Sequence, residues 1–300
     1  MEATTVGRPH PEARTRTRAT TRTGPPLGRQ VLTWGSVVLI VLFCLFPIYW
    51  LLNTSLKSGQ DLSSGGVLPP HPTLKNYDSI FSNSAFTKAL RNSVIVSFIT
   101  TTISLIIGSF AAYALARLRF PMKFLLLAVV LSISTFPPIA VAAPLFKLWS
   151  DIGLFNAKYG LGLIPPALTF SLPLTIYILT SFFREIPKDL EEAALVDGAT
   201  RFQAFRKVVL PLAAPGMVTA GLLVFFFAWN EFLFAVTLTS TPDARTVPAA
   251  IAFFVGSVKF EEPLGTISAA GITVMIPLVI LVLIFQKRIV AGLTAGAVKG

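Results

Sequence analysis

Two groups of residues in this chain have the types and spacing to do chemistry. The first is Trp229-Asn230-Glu231, a carboxylate set beside a stacking ring and an amide within an apolar run. An ionisable group inside a membrane span is costly and marks a candidate functional position. Glu231 lies about 18 residues past the start of its run, roughly 27 Å along a helix. That depth is near the outer leaflet. Two roles are open to it: a contact on a substrate path or with an external partner protein, or an interfacial glutamate hydrogen-bonded to a neighbouring helix. The second group is the segment Arg184–Pro211, with five acids and five bases in 28 residues of a chain that is only 13% charged. Enzyme chemistry finds no such grouping. Cys44 is the single cysteine and leaves no intrachain disulfide. His10 and His71 are far apart and lie outside the apolar runs, so Ser104 and Ser109 have no histidine base and no metal site assembles. No G-x-x-x-x-G-K-[ST] phosphate loop is present.

The elements that must position these residues are membrane helices. The chain has 300 residues, 53% hydrophobic, with 25 phenylalanines and a mean hydropathy of +0.72. A disordered chain and a soluble enzyme are both excluded by that balance. About 20 apolar residues span a bilayer as a helix. Six runs qualify: 31–52, 92–116, 124–146, 161–183, 212–237 and 264–286. Thr246–Val258 is a seventh apolar run but too short to cross, and reads as an interfacial or re-entrant helix. Prolines 137, 138 and 144 in span three, 165, 166 and 173 in span four and 277 in span six predict bent or broken helices facing protein or a cavity.

Orientation follows from Lys and Arg. The side bearing both termini carries 17 of them and the other side 8. The fold class predicted is therefore an all-α integral membrane protein of six transmembrane helices with cytoplasmic N and C termini. The net charge of +11 reflects this topology and not nucleic-acid binding. Residues 1–30 form a basic, low-complexity tail, and residues 287–300 a short C-terminal tail on the same side.

Segment 184–211 reads as a helix–turn–helix across the cytoplasmic ends of the spans. Pro187 suits a first helical turn, and Asp189, Glu191 and Glu192 complement its positive end. Gly198 can take positive φ and stop that helix. Thr200 with Gln203 is a possible capping box for a second helix, Arg201–Leu210, ending at Pro211. Such an element suits docking against another protein; an ordinary solvated loop is the alternative.

Glu192-Ala193-Ala194, then Gly198 after three residues, then Val208-Val209-Leu210-Pro211 after nine more, resembles the EAA motif of the membrane subunits of ABC importers. Asn92-Ser93, the run Ala111–Arg117, Trp229–Phe232 and the C-terminal Gly292–Gly300 are similar to the maltose-type carbohydrate branch. Val208 stands where that family typically has isoleucine. The resemblance implies the type I importer permease fold. It implies a cytoplasmic ABC ATPase dimer, with ATP and Mg bound there and no cofactor on this chain. It also implies a second homologous permease subunit, an extracytoplasmic solute-binding protein, and a bacterial or archaeal plasma membrane. On the same ground Glu192 is the coupling carboxylate, Gly198 sets the turn, and Ala193, Ala194, Asp197, Leu210 and Pro211 complete the ATPase-coupling set. Leu293, Thr294, Gly296 and Lys299 are placed as a C-terminal ATPase contact.

The function expected is a permease subunit of an ATP-driven, binding-protein-dependent importer for a di- or oligosaccharide or related polyol, working by alternating access. The alternative is an ion-coupled secondary transporter. That class needs membrane-buried ionisable groups, and Glu231 alone offers one.

Overall fold

The computed structural model describes residues 27–57, 59–62, 65–254 and 264–295. Every regular element among these residues is helical. That is what lipid demands, since it offers no partner to an unpaired backbone group. Three long helices are α1 (Leu27–Ser55), α3 (Ser84–Arg117) and α13 (Leu264–Ala295), with the short α2 (Lys75–Ser82) between the first two. A fourth crossing starts with a 3₁₀ turn, Lys158–Leu163, and continues as α6 (Ile164–Glu185).

The run 124–146, expected as the third span, is broken as its prolines predict, and the run 212–237, expected as the fifth, is not one continuous helix. In the third, α4 (Lys123–Thr135) and α5 (Pro138–Asp151) meet at 85°. Phe136 and Pro137 are extended, at ψ 131° and 119°. Each precedes a proline, whose ring disfavours helical backbone one residue before it. In the fifth, α10 (Ala214–Trp229) stops, and a separate α11 (Leu233–Leu238) follows. Pro165 and Pro166 do not bend a helix as predicted; they open α6, where the missing N–H is no loss. Pro144, Pro173 and Pro277 do lie inside helices. The helix α13 runs through residues expected to form the tail 287–300, as far as Ala295. The seventh apolar run contains α12 (Val247–Phe254).

The chain divides into two compact units, residues 1–47 and 48–300. In the first, the described part is helix, with exposed apolar side chains such as Val31, Leu39 and Phe43. In the second, α3 packs along α6 and α10, and α13 packs on α10 and α2. The buried face of α3 is a stripe of small and polar residues: Ser93, Ser97, Thr100, Ser104, Gly108 and Ala112. Small residues let membrane helices approach where dispersion, not the hydrophobic effect, drives association. A Cβ on Gly108 would come within 2.6 Å of Thr175 Cγ2 on α6. The Ser104 and Ser171 hydroxyls bond across the same seam at 2.9 Å.

Candidate functional site

The densest cluster of charged side chains lies just beyond α6. Pro187 caps α7 (Lys188–Val196), whose first turn carries Asp189 and Glu191. The helix ends in a Schellman motif: the Gly198 N–H donates to Leu195 O at 3.1 Å, and the Ala199 N–H to Ala194 O at 3.0 Å. Gly198 sits at φ +86°. Two residues on, a full capping box starts α8 (Arg201–Ala204): the Gln203 N–H donates to Thr200 Oγ1 at 3.2 Å, and the Thr200 N–H to Gln203 Oε1 at 2.8 Å. Both ends of the turn are thus locked by local bonds.

The second arm does not stop at Pro211. After α8 the chain widens to a π-helix over Phe205–Val209 and resumes as α9 (Leu210–Leu212), breaking only at Ala213. The Leu210 N–H reaches back five residues to Phe205 O. Pro211 explains the widening, since it has no N–H for the preceding turn and its ring crowds the carbonyl four residues back. The arm then meets α10 at 76°. Its buried side chains, Phe205 and Val209, join Ala112, Leu179 and Phe183 in one apolar core.

The two adjacent glutamates of α7 have opposite fates. Glu192 is exposed, with Asp189, Ala193 and Val196 on the same helical face. Glu191 is buried. Its Oε2 lies 3.1 Å from Arg117 Nε, with the two side chains only 5% and 11% exposed. The Tyr113 hydroxyl donates to its Oε1. Arg117 Nη2 also donates to Ile186 O at 2.8 Å. Arg119, Lys188 and Arg201 line the same cleft. Sequence reasoning did not single out Glu191, Arg117 and Tyr113 as a cluster. The available signal was Tyr113 and Arg117 one turn apart on the last turn of span two, facing an acid on the following polar segment. Of the other predicted coupling residues, Asp197 and Pro211 are exposed, and Ala194 and Leu210 are half-buried.

The group Trp229-Asn230-Glu231 sits at the break between α10 and α11. Trp229 is 1% exposed and stacks on Phe225, with ring centroids 5.6 Å apart. Asn230 Nδ2 donates to Phe226 O of its own helix at 2.8 Å. Glu231 accepts from the Phe234 N–H at 2.7 Å and the Ala235 N–H at 3.0 Å. Both carboxylate oxygens therefore cap α11. Leu293 and Thr294 fall in the last turn of α13, while Gly296 and Lys299 lie outside the described residues.

A cavity of about 580 Å³ occupies the elbow of α4 and α5 against α6. It is lined by apolar side chains such as Ile133, Phe136 and Phe170, with Ser132 and Thr169. Trp149, also in its wall, gives its indole N–H to Gly162 O at 2.7 Å. At the end of α3 remote from Arg117, Asn92 Nδ2 donates to Asp243 O at 3.0 Å and Arg245 O at 2.9 Å. Ser93 Oγ accepts from the Val247 N–H at 2.8 Å. Asn156 Oδ1 gathers the Ser240 and Thr241 N–H groups, each at 2.9 Å.

Comparison with known proteins places this geometry. Residues 104–294 match the family described as "Binding-protein-dependent transport system inner membrane component". The chain is 51% identical over 276 residues to the trehalose transport system permease protein SugB of Mycobacterium tuberculosis, covering 91% of this chain and 100% of that one. It is 40% identical over 274 residues to the trehalose/maltose transport system permease protein MalG of Thermococcus litoralis, covering 91% and 98%. Among solved structures, a chain of a bacterial ABC transporter involved in import of the acidic polysaccharide alginate shares the fold, with a TM-score of 0.74 at 23% identity over 89% of this chain and 99% of that one. The helix order, the bent spans and the α7–α9 hairpin described above fall inside or beside the matched range, and the chain belongs to the family of binding-protein-dependent transport system inner membrane components.

Proposed function

We propose that this chain is the permease subunit of an ATP-driven importer for a di- or oligosaccharide, with a glucose disaccharide such as trehalose as the first candidate. It works by alternating access beside a second, similar permease, and takes sugar from an extracytoplasmic binding protein. The observation that carries the reading is the hairpin α7–α9. Its turn is locked at both ends, yet its outer face shows Glu192, the exposed Ala193 and the 87% exposed Val196. Exposed apolar groups next to an acid suit a protein partner, and an ATPase docked there would pass its movement to the spans. Identity to sugar permeases along nine-tenths of the chain supports the cargo class. The excess of Lys and Arg on the terminal side supports cytoplasmic termini in a bacterial plasma membrane.

An ion-coupled transporter needs a titratable group free to bind its ion, whereas Glu231 has both oxygens engaged by backbone N–H groups. The apolar lining of the α4–α5 elbow gives a sugar few hydrogen bonds, which supports a substrate site shared with or held by the partner permease. Reconstitution with the cognate permease, ATPase and binding protein in liposomes tests the reading. Labelled trehalose should enter only with ATP and binding protein present. Uptake that follows an ion gradient without ATP would overturn it.

A further inference from the structure

We infer that Glu191 is a positioning residue that locks the coupling hairpin to α3, so that movement delivered at Glu192 is carried by α3. The inference rests on the docking reading above and divides the work between two neighbouring carboxylates. Glu192 faces outward to a partner; Glu191 faces inward and makes no surface available to one.

The last turn of α3 grips both arms of the hairpin. Arg117 holds the α6–α7 junction through Ile186 O and holds α7 through Glu191. Tyr113, one turn earlier, donates to Glu191 on the first arm and lays its ring 4.8 Å from that of Phe205 on the second. Phe205 in turn meets Phe110 of α3 at 5.4 Å and Phe183 of α6 at 6.2 Å. A buried ion pair adds little net stability compared with apolar packing, but it fixes geometry, and removing one partner strands the other charge. A hairpin built only to dock needs no buried Glu–Arg–Tyr cluster, because its turn is already closed by the Schellman motif and capping box. The cluster instead sets the orientation of α7 against α3. That helix is 34 residues long, and at its far end Asn92 and Ser93 hold the backbone at Asp243, Arg245 and Val247. A pull on the hairpin is thereby connected to the segment at the opposite end of the same helix.

The test uses the complete reconstituted importer and the variants Glu191→Gln, Tyr113→Phe and the exchanged pair Glu191→Arg with Arg117→Glu. Tyr113→Phe keeps the aromatic contact with Phe205 and removes only the hydroxyl, so it is the variant least exposed to misfolding. In complexes that retain wild-type subunit stoichiometry, ATP hydrolysis should persist, while sugar molecules imported per ATP should fall at least threefold in Glu191→Gln and Tyr113→Phe. The exchanged pair should regain a higher ratio than either of its single variants. Amide hydrogen exchange in Lys188–Val196 should quicken in Tyr113→Phe even in the isolated chain. A wild-type transport-to-ATP ratio together with unchanged exchange in Tyr113→Phe overturns the latch. Glu192→Lys serves as the separate control for docking. If that variant assembles and transports normally, the docking reading fails regardless of Glu191. If it fails while Glu191→Gln and Tyr113→Phe behave as wild type, docking stands and the latch alone is wrong.

Discussion

Gly198 turns the hairpin at φ +86°, and a Cβ built on it meets nothing within 4 Å. Any defect on substitution is therefore conformational and not steric. A β-branched residue disfavours the left-handed region, while asparagine visits it more readily. Gly198→Val should cost about 1–2 kcal/mol at the turn and lower ATP-dependent uptake, whereas Gly198→Asn should retain most of it. Equal uptake in both variants would mean the turn does not hold the docking face. Glu231 is a second case where one side chain sets a local path. Glu231→Gln keeps an acceptor oxygen, so the KM for sugar should stay within about twofold of wild type. Glu231→Ala removes both capping bonds and should cost about 1 kcal/mol of stability, read as a lower thermal midpoint in detergent. A large rise in KM for the Gln variant would restore this carboxylate to the sugar path. The outward Glu192 was legible in the sequence through its spacing to Gly198. The inward Glu191 was not, because two identical letters give no helical phase until the partner helix, 74 positions earlier at Arg117, is known to pack against them.

At the level of elements, each long uncharged run falls on one or more helices among the described residues, and their charge-free character suits lipid. Internal breaks were only half legible. Prolines 137 and 138 signalled a break in span three, but the break near Asn230 contains no proline and arises where Glu231 offers α11 a better N-terminus than continuation does. Pro211 looked like a terminator and acts as a wedge, because Phe205 and Val209 gain enough burial to carry the helix past it in π form. The seam on α3 escaped notice because serine and threonine read as neutral fillers until paired with α6. Asn92 shows how much one such residue holds. Asn92→Ala should remove the side-chain donor from the Arg245 carbonyl, while the Asp243 carbonyl keeps the Tyr159 N–H at 2.9 Å, at about 1–3 kcal/mol, and expose the segment 239–247 to proteolysis in detergent. Asn92→Asp should be worse, since a carboxylate would face those same carbonyls. Stability and digestion equal to wild type in both variants would show that the segment is held elsewhere. Beside it, the Lys88 ammonium, 2.8 Å away, holds the Asp243 carboxyl below its ordinary range. Its contribution is thus present at neutral pH and lost only as pH falls through that lowered value. Uptake between about pH 5 and 8 should not vary through this pair, and Lys88→Met should leave the shape of the pH profile unchanged.

For the molecule as a whole, charge and apolar surface assign different faces to different partners. Apolar side chains on the long helices suit lipid, but the exposed Val196 lies on a hairpin rich in charge, where lipid is a poor partner. Burying it on association is worth at most about 1.5–3 kcal/mol, and such anchors tend to dominate an interface. Val196→Asp should reduce the ATPase recovered with the affinity-purified chain by about tenfold, equivalent to 1.4 kcal/mol. Membrane insertion should be unaffected, because Val196 lies in none of the candidate spans. The prediction also fixes orientation. If the hairpin meets a cytoplasmic ATPase, reporters fused to Gly300 must be active in the cytoplasm, as the distribution of Lys and Arg independently requires. Loss of ATPase recovery together with an external C-terminus would contradict the six-span reading, in which four spans precede the hairpin and two follow it. The two measurements therefore check one another, and a disagreement between them would mean that α10 and α11, which follow the hairpin, together enter and leave the membrane on the same side.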